Sequence, residues 1–130
     1  MILVDTSVWI ELFRKRSPID LSQYADIDEV VTCLPVIQEV LQGFRDERAF
    51  LHAREAMVAL PIVESPLNQT VFLEAAALYR TARRAGITVR SSVDCIIAAC
   101  ALRHQLEILH IDRDFKAIAE IAPLLQRSIR

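Results

Sequence analysis

The sequence predicts an α/β fold with a mostly parallel central sheet flanked by helices on both faces. Short apolar runs such as Ile2-Leu3-Val4 and Ile108-Leu109-His110-Ile111 alternate with longer amphipathic stretches, the pattern of strands joined by crossover helices. Two of these runs end in an aspartate, Asp5 and Asp112, just before a helix start. The 130 residues hold only two glycines and no repeat, linker or low-complexity stretch, so residues 1–130 read as a single domain.

Ile2 to Asp5 is too short and too apolar for anything but a buried strand or a helix start. Thr6 or Ser7 can cap the following helix, which runs to about Arg14 with Val8, Trp9, Leu12 and Phe13 on its apolar side. Ser17-Pro18 is expected to start a short helical segment through about Ala25. Val30 to Cys33 reads as a second strand. Pro35 opens the next helix, where its missing N–H costs nothing, and Gly43 closes it. Asp46 to about Leu60 is amphipathic, with Phe50, Ala53 and Met57 on one side. A short strand is expected at Pro61-Ile62-Val63-Glu64. Asn68 to Ala85 is a long helix ended by Gly86, a usual residue for a left-handed terminus. Ser91 or Ser92 caps a helix that carries Asp94 and runs to about His104. Ile108 to Ile111 is the next strand, Arg113 to Ile121 the next helix, and Leu124-Leu125 begins a last edge strand.

Hydrophobic residues make up 53% of the chain, above the roughly 45–50% of soluble domains, which suggests a thorough core or an apolar patch kept for a partner. No apolar run approaches the roughly 20 residues that cross a bilayer, and Met1 to Asp5 lacks the basic start of a signal peptide. Cys33, Cys95 and Cys100 form no C-x-x-C pair, so reduced thiols in a cytoplasmic protein are expected. His52, His104 and His110 lack the spacing of metal ligands. The net charge of −2 does not advertise nucleic-acid binding, yet arginines cluster at Arg14-Lys15-Arg16, Arg45/Arg48, and Arg80, Arg83, Arg84 and Arg90.

Four acidic residues carry the chemical argument. Asp5 and Asp112 end strands, Glu39 interrupts the apolar stretch Leu34–Leu41, and Asp94 sits in the first turn of a hydrophobic helix. Each has an ordinary structural reading as a helix cap, a first-turn acid or an exposed helix residue. Together they fit less ordinary chemistry, because carboxylates in apolar segments are costly unless paired, hydrogen-bonded or bound to a cation. In an open α/β sheet, ligands bind beyond the carboxyl ends of the strands, where these acids can converge. Mg²⁺ and Mn²⁺ favour such hard oxygen ligands, and two ions about 3.5–4 Å apart can drive phosphodiester cleavage.

Asp5-Thr6-Ser7-Val8-Trp9-Ile10, Glu39 in its helix, Asp94-Cys95-Ile96-Ile97-Ala98-Ala99-Cys100-Ala101 and His110-Ile111-Asp112-Arg113-Asp114-Phe115 resemble, in order and spacing, a PIN domain. With the short length they resemble VapC, the toxin half of type II toxin–antitoxin modules. The resemblance spans nearly the whole chain and is least diagnostic from Arg45 to Arg90. It implies a Mg²⁺- or Mn²⁺-dependent endoribonuclease, a hydrolase neutralised by a VapB-type antitoxin, acting on RNA and forming a homodimer. Carried over by position, Asp5, Glu39, Asp94 and Asp112 are the catalytic and metal-binding acids. Asp114 is a possible further ligand, leaving open which of Asp112 and Asp114 points inward. Ser7 fits the small polar position that hydrogen-bonds a carboxylate. His110 stands where relatives often have Thr or Ser, either losing a phosphate-contacting hydroxyl or replacing it. Trp9 and Phe13, one helical turn apart, are either core or antitoxin contacts.

Other classes fit less well. A phospho-acceptor receiver domain needs an acidic pair after the first strand and a late strand-end lysine, whereas Thr6 follows Asp5 and no lysine lies between Lys15 and Lys116. A haloacid-dehalogenase-type phosphatase needs Asp-x-Asp at the first strand, and position 7 is serine. A silent binding scaffold would gain nothing from the mutual repulsion of intact carboxylates. The arginines expected to orient an RNA backbone are Arg14, Arg90 or Arg113.

Overall fold

Three buried apolar residues follow the exposed Met1. In the computed structural model, which describes residues 1–130, β1 (Ile2–Val4) lies in the middle of a five-stranded sheet and is buried along its length. A strand covered on both faces has no use for alternating polarity, which explains its unbroken apolar run. β2 (Val30–Cys33) pairs with β1 through Ile2↔Val30 and Leu3↔Val31, and β4 (Glu107–His110) pairs on its other side through Leu3↔Ile108 and Val4↔Leu109. β3 (Ile62–Val63) extends the sheet beyond β2, and β5 (Leu125–Ser128) extends it beyond β4. Every pairing is parallel and the order is β3-β2-β1-β4-β5.

The chain therefore winds outward from β1 in one direction and then returns to wind in the other. Right-handed crossovers then place helices on both faces. α1 (Thr6–Leu12), α2 (Leu34–Gln42) and α3 (Glu47–Val58) pack in succession, while α4 (Gln69–Arg84), α5 (Ser92–His104) and α6 (Arg113–Ala119) pack on one another. α5 is the most buried of them: Ile97, Ala98, Ala99, Cys100 and Ala101 are all sealed from solvent. Its small side chains let α4 approach closely on one side and the sheet on the other, at the cost of burying the polar Asp94 too.

Several boundaries differ from expectation, each for a local reason. Asp5, rather than Thr6 or Ser7, caps α1, and its side chain accepts from the Ser7 N–H. The segment expected to be helical from Ser17 to Ala25 contains only a 3-10 turn at Leu21–Gln23, followed by another at Ile27–Glu29. Asp20 and Asp26 there bond the backbone N–H two residues on, a local turn that competes with helix propagation. Gly43 follows α2 at φ −79°, an ordinary right-handed conformation, whereas Gly86 after α4 adopts the expected left-handed one at φ +75°. Gln105 ends α5 in the left-handed region at φ 55°, where glycine would have been expected. No helix is long and apolar enough to cross a membrane.

Candidate metal centre

Parallel strands release their chains at the same edge, so the segments that follow β1 and β4 emerge side by side. Asp5 N–H donates to the Leu109 carbonyl at 2.9 Å, which locks the two exits together. The Asp5 side chain is 2% exposed, and its Oδ2 accepts from the Ser7 N–H at 3.0 Å and the Ser7 hydroxyl at 2.6 Å. The same hydroxyl accepts from the Ile111 N–H at 3.1 Å, so Ser7 fastens the β1 exit to the β4 exit. Asp5 Oδ1 is buried and has no hydrogen-bond partner. Burial, with a smaller push from the charge of Asp112, raises the Asp5 pKa to about 6 against the lowering bonds from Ser7 and the Thr6 backbone.

Asp94, in the first turn of α5, is 5% exposed, and its Oδ2 is likewise buried without a partner. Its pKa is pushed up to about 9, first by burial, then by its hydrogen bond with Asp114, and then by the charges of Asp5, Asp112 and Asp114. Asp112 caps α6 and accepts from the Asp114 N–H at 2.9 Å while staying half-exposed. Asp114 is 1% exposed, and its carboxylate accepts from the Arg90 N–H at 3.1 and 3.0 Å and from the Ser91 N–H at 3.0 Å. Ser91, the residue before α5, makes no side-chain capping bond, and Asp114 instead holds the backbone that leads into the helix.

Potential ligand oxygens of Asp94, Asp112 and Asp114 lie within 4.8 Å of one another. Both members of the Asp112/Asp114 pair therefore reach the cluster, but Asp114 spends its acceptors on the backbone of Arg90 and Ser91. Asp5 borders this triad closely enough for its charge to act on Asp94. Glu39 stands further out, half-buried on α2, with Oε1 accepting from the Thr6 hydroxyl at 2.9 Å. Thr6 thereby ties Glu39 to the residue beside Asp5. Sequence reasoning missed that tie, and the only signal for it was a small polar residue directly after the strand-end acid.

The cluster meets the requirements of a hard divalent cation. A buried oxygen without a donor costs about 1–3 kcal/mol, and Asp5 and Asp94 each carry one, Asp94 within a group of carboxylates that repel one another. An ion with oxygen ligands answers both the orphaned acceptors and the repulsion.

Other candidates lie elsewhere. His110 is 0% exposed, with Nδ1 accepting from the Asp112 N–H at 3.1 Å and Nε2 2.7 Å from Gln126 Oε1. With both nitrogens engaged, it does not replace a phosphate-contacting hydroxyl but orients the backbone of Asp112. Burial lowers its pKa, which keeps the ring neutral with the proton on Nε2. Trp9 is 7% exposed, and its indole N–H donates to the Val4 carbonyl at 3.0 Å, so its ring belongs to the core and offers a partner little surface. It stacks on Phe13 at 6.0 Å, and Phe13 meets the edge of Phe44 at 5.7 Å. Phe13 and Phe44 line a groove of about 310 Å³ with Ile10, Arg14, Val40 and Gly43. Arg14 pairs with Glu11 at 3.2 Å, whereas Arg90 and Arg113 are exposed and outside any ion pair beside the acids.

The PIN domain family model matches residues 2–121, and ribonuclease VapC11 of Mycobacterium tuberculosis is 38% identical over the full length of both chains. This chain belongs to the PIN domain family, in its VapC group. The fold agrees with solved PIN domain structures. A toxin–antitoxin family member, VapBC-5 from Mycobacterium tuberculosis, superposes with a TM-score of 0.70 at 22% identity, covering 98% of this chain and 96% of that one. VapC20 from the same organism, described as a sarcin–ricin-loop-cleaving toxin, superposes at 0.71 with 20% identity, covering 96% and 99%.

Proposed function

We propose that this PIN domain is the toxin of a type II toxin–antitoxin module, an endoribonuclease that depends on Mg²⁺ or Mn²⁺ and is neutralised by a VapB-type antitoxin. The observation that carries the reading is the acid cluster with its orphaned Asp5 and Asp94 oxygens. Its VapC relatives add support. Asp94 and Asp112 would hold the metal with Asp5, while Glu39 joins from the rim and Asp114 serves as a holder or further ligand. When bound, the cation supplies neutralising charge and a more acidic water. Ser7 bonds the Asp5 carboxylate, and Asp114 fixes the segment that leads into the helix carrying Asp94. His110 is buried, His52 is exposed on α3, and His104 is at the far end of α5, so no histidine pair serves to activate a 2′-hydroxyl. Water is then the nucleophile, and the products carry 5′-phosphate and 3′-hydroxyl ends.

The apolar groove of Ile10, Phe13, Val40 and Phe44 suits an amphipathic antitoxin helix, with Trp9 behind it as support, and a homodimer is the expected assembly. The function is tested with purified, antitoxin-free protein incubated with RNA in Mn²⁺, in Mg²⁺ and in EDTA. Cleavage is expected only with metal, and Asp94→Asn should abolish it and most of the stabilisation that metal gives the parent. Cleavage that persists in EDTA and leaves 2′,3′-cyclic phosphate would overturn the mechanism.

A further inference from the structure

Beside the first turn of α5, on another face from Asp94, lies a groove of about 370 Å³ between α4 and α5. Its floor is Ala75, Ala76, Cys95 and Ile96, and Ser92 stands at its lip, two residues before Asp94. Its wall is aromatic and basic: Phe72 is 49% and Tyr79 38% exposed, and Arg80 and Arg83 project beside them. The Arg83 guanidinium lies over the Tyr79 ring, 5.9 Å from its centroid. Neither arginine makes an ion pair, nor do the neighbouring Arg84 and Arg90, although other arginines of the chain do. No acidic residue lines the groove.

Exposed aromatic faces offer stacking to unpaired bases, and unneutralised guanidinium groups offer charge to phosphates. A second copy of this chain is a poorer occupant, since a twofold contact through this face would set arginine toward arginine without a carboxylate to receive it. We propose that the α4–α5 groove is a subsite for single-stranded RNA outside the acid cluster, in which Tyr79 stacks a base and Arg80 and Arg83 hold the backbone. The proposal rests on the ribonuclease reading and names residues that would grip the strand away from the acids.

The test uses a short single-stranded oligoribonucleotide containing 2-aminopurine, titrated in EDTA, together with steady-state cleavage in metal. Tyr79→Ala is expected to raise Kd and KM by about 5- to 100-fold and to lose the quenching of 2-aminopurine, while Tyr79→Phe keeps both. Arg83→Ala should lower the slope of log Kd against log salt by about 0.7. Leu73→Ala, on an exposed part of α4 outside the groove, should change neither. A Tyr79→Ala protein with the parent's Kd, KM and quenching overturns the subsite and leaves the nuclease standing. A loss of affinity that tracks a change in sedimentation assigns the groove to a second copy instead. A parent that neither binds nor cleaves RNA removes both readings.

Discussion

Asp94 holds a proton at neutral pH when no cation is present, and this proton has consequences for stability. Its folded pKa of about 9 and that of Asp5, about 6, both lie above the ordinary value of 3.8. Between the ordinary and the raised values the folded chain binds more protons than the unfolded one, so metal-free stability falls as pH rises. The fall should be steepest between about pH 4 and 6, where both groups contribute, and continue more gently to about 9 through Asp94 alone. Denaturant titrations in EDTA across that range check it, and Asp94→Asn should end the fall near 6. A flat profile would mean the two carboxylates are better solvated than their burial indicates. Cation binding expels the same protons, so affinity for Mn²⁺ should rise over the same window. Asp5 and Asp112 were legible as strand-end acids, which also cap the helices that follow, and Asp94 as a charge in an otherwise apolar helix. Asp114's hold on Arg90 and Ser91 was not, since it depends on an approach between segments 24 residues apart. The place of Trp9 was equally hidden, because an aromatic on a helix face looks the same whether its N–H meets a carbonyl or a partner.

Elements were legible where apolar periodicity was long or strand burial complete, as in α4, α5, β1 and β4. They were least so between Ser17 and Glu29, where aspartates satisfy the backbone locally in place of a helix. The end of α5 was also unsignalled, since Gln105 takes up the left-handed turn into β4 despite its side chain. The left-handed conformation costs a non-glycine residue about 1–2 kcal/mol, part of which glycine returns through a freer unfolded chain. Gln105→Gly, at an exposed position, should therefore stabilise the protein by about 0.5–1 kcal/mol, measured as a raised denaturant midpoint at constant slope. A lower midpoint would show that the Gln105 side chain makes up for the strain in its turn.

At the scale of the whole molecule, one sheet and one continuous core of 28 buried residues join both halves of the chain. Unfolding should be a single transition, with Trp9 fluorescence and far-ultraviolet circular dichroism tracing superimposable curves. Separated curves would divide the chain into units that the shared core does not suggest. The strand order was the least legible property, because nothing local in Ile2–Val4 says that its partners lie near residues 30 and 107. That order also governs what a ribosome releases. A nascent chain that has passed β3 can pair β1 only with β2, and the other edge of β1 stays open until Glu107–His110 emerge. Asp112 and Asp114 follow immediately behind, so the strand that closes the edge also delivers the last acids of the cluster. A chain cut short before Glu107 would therefore lack at once the strand that closes the open edge of β1 and two acids of the cluster.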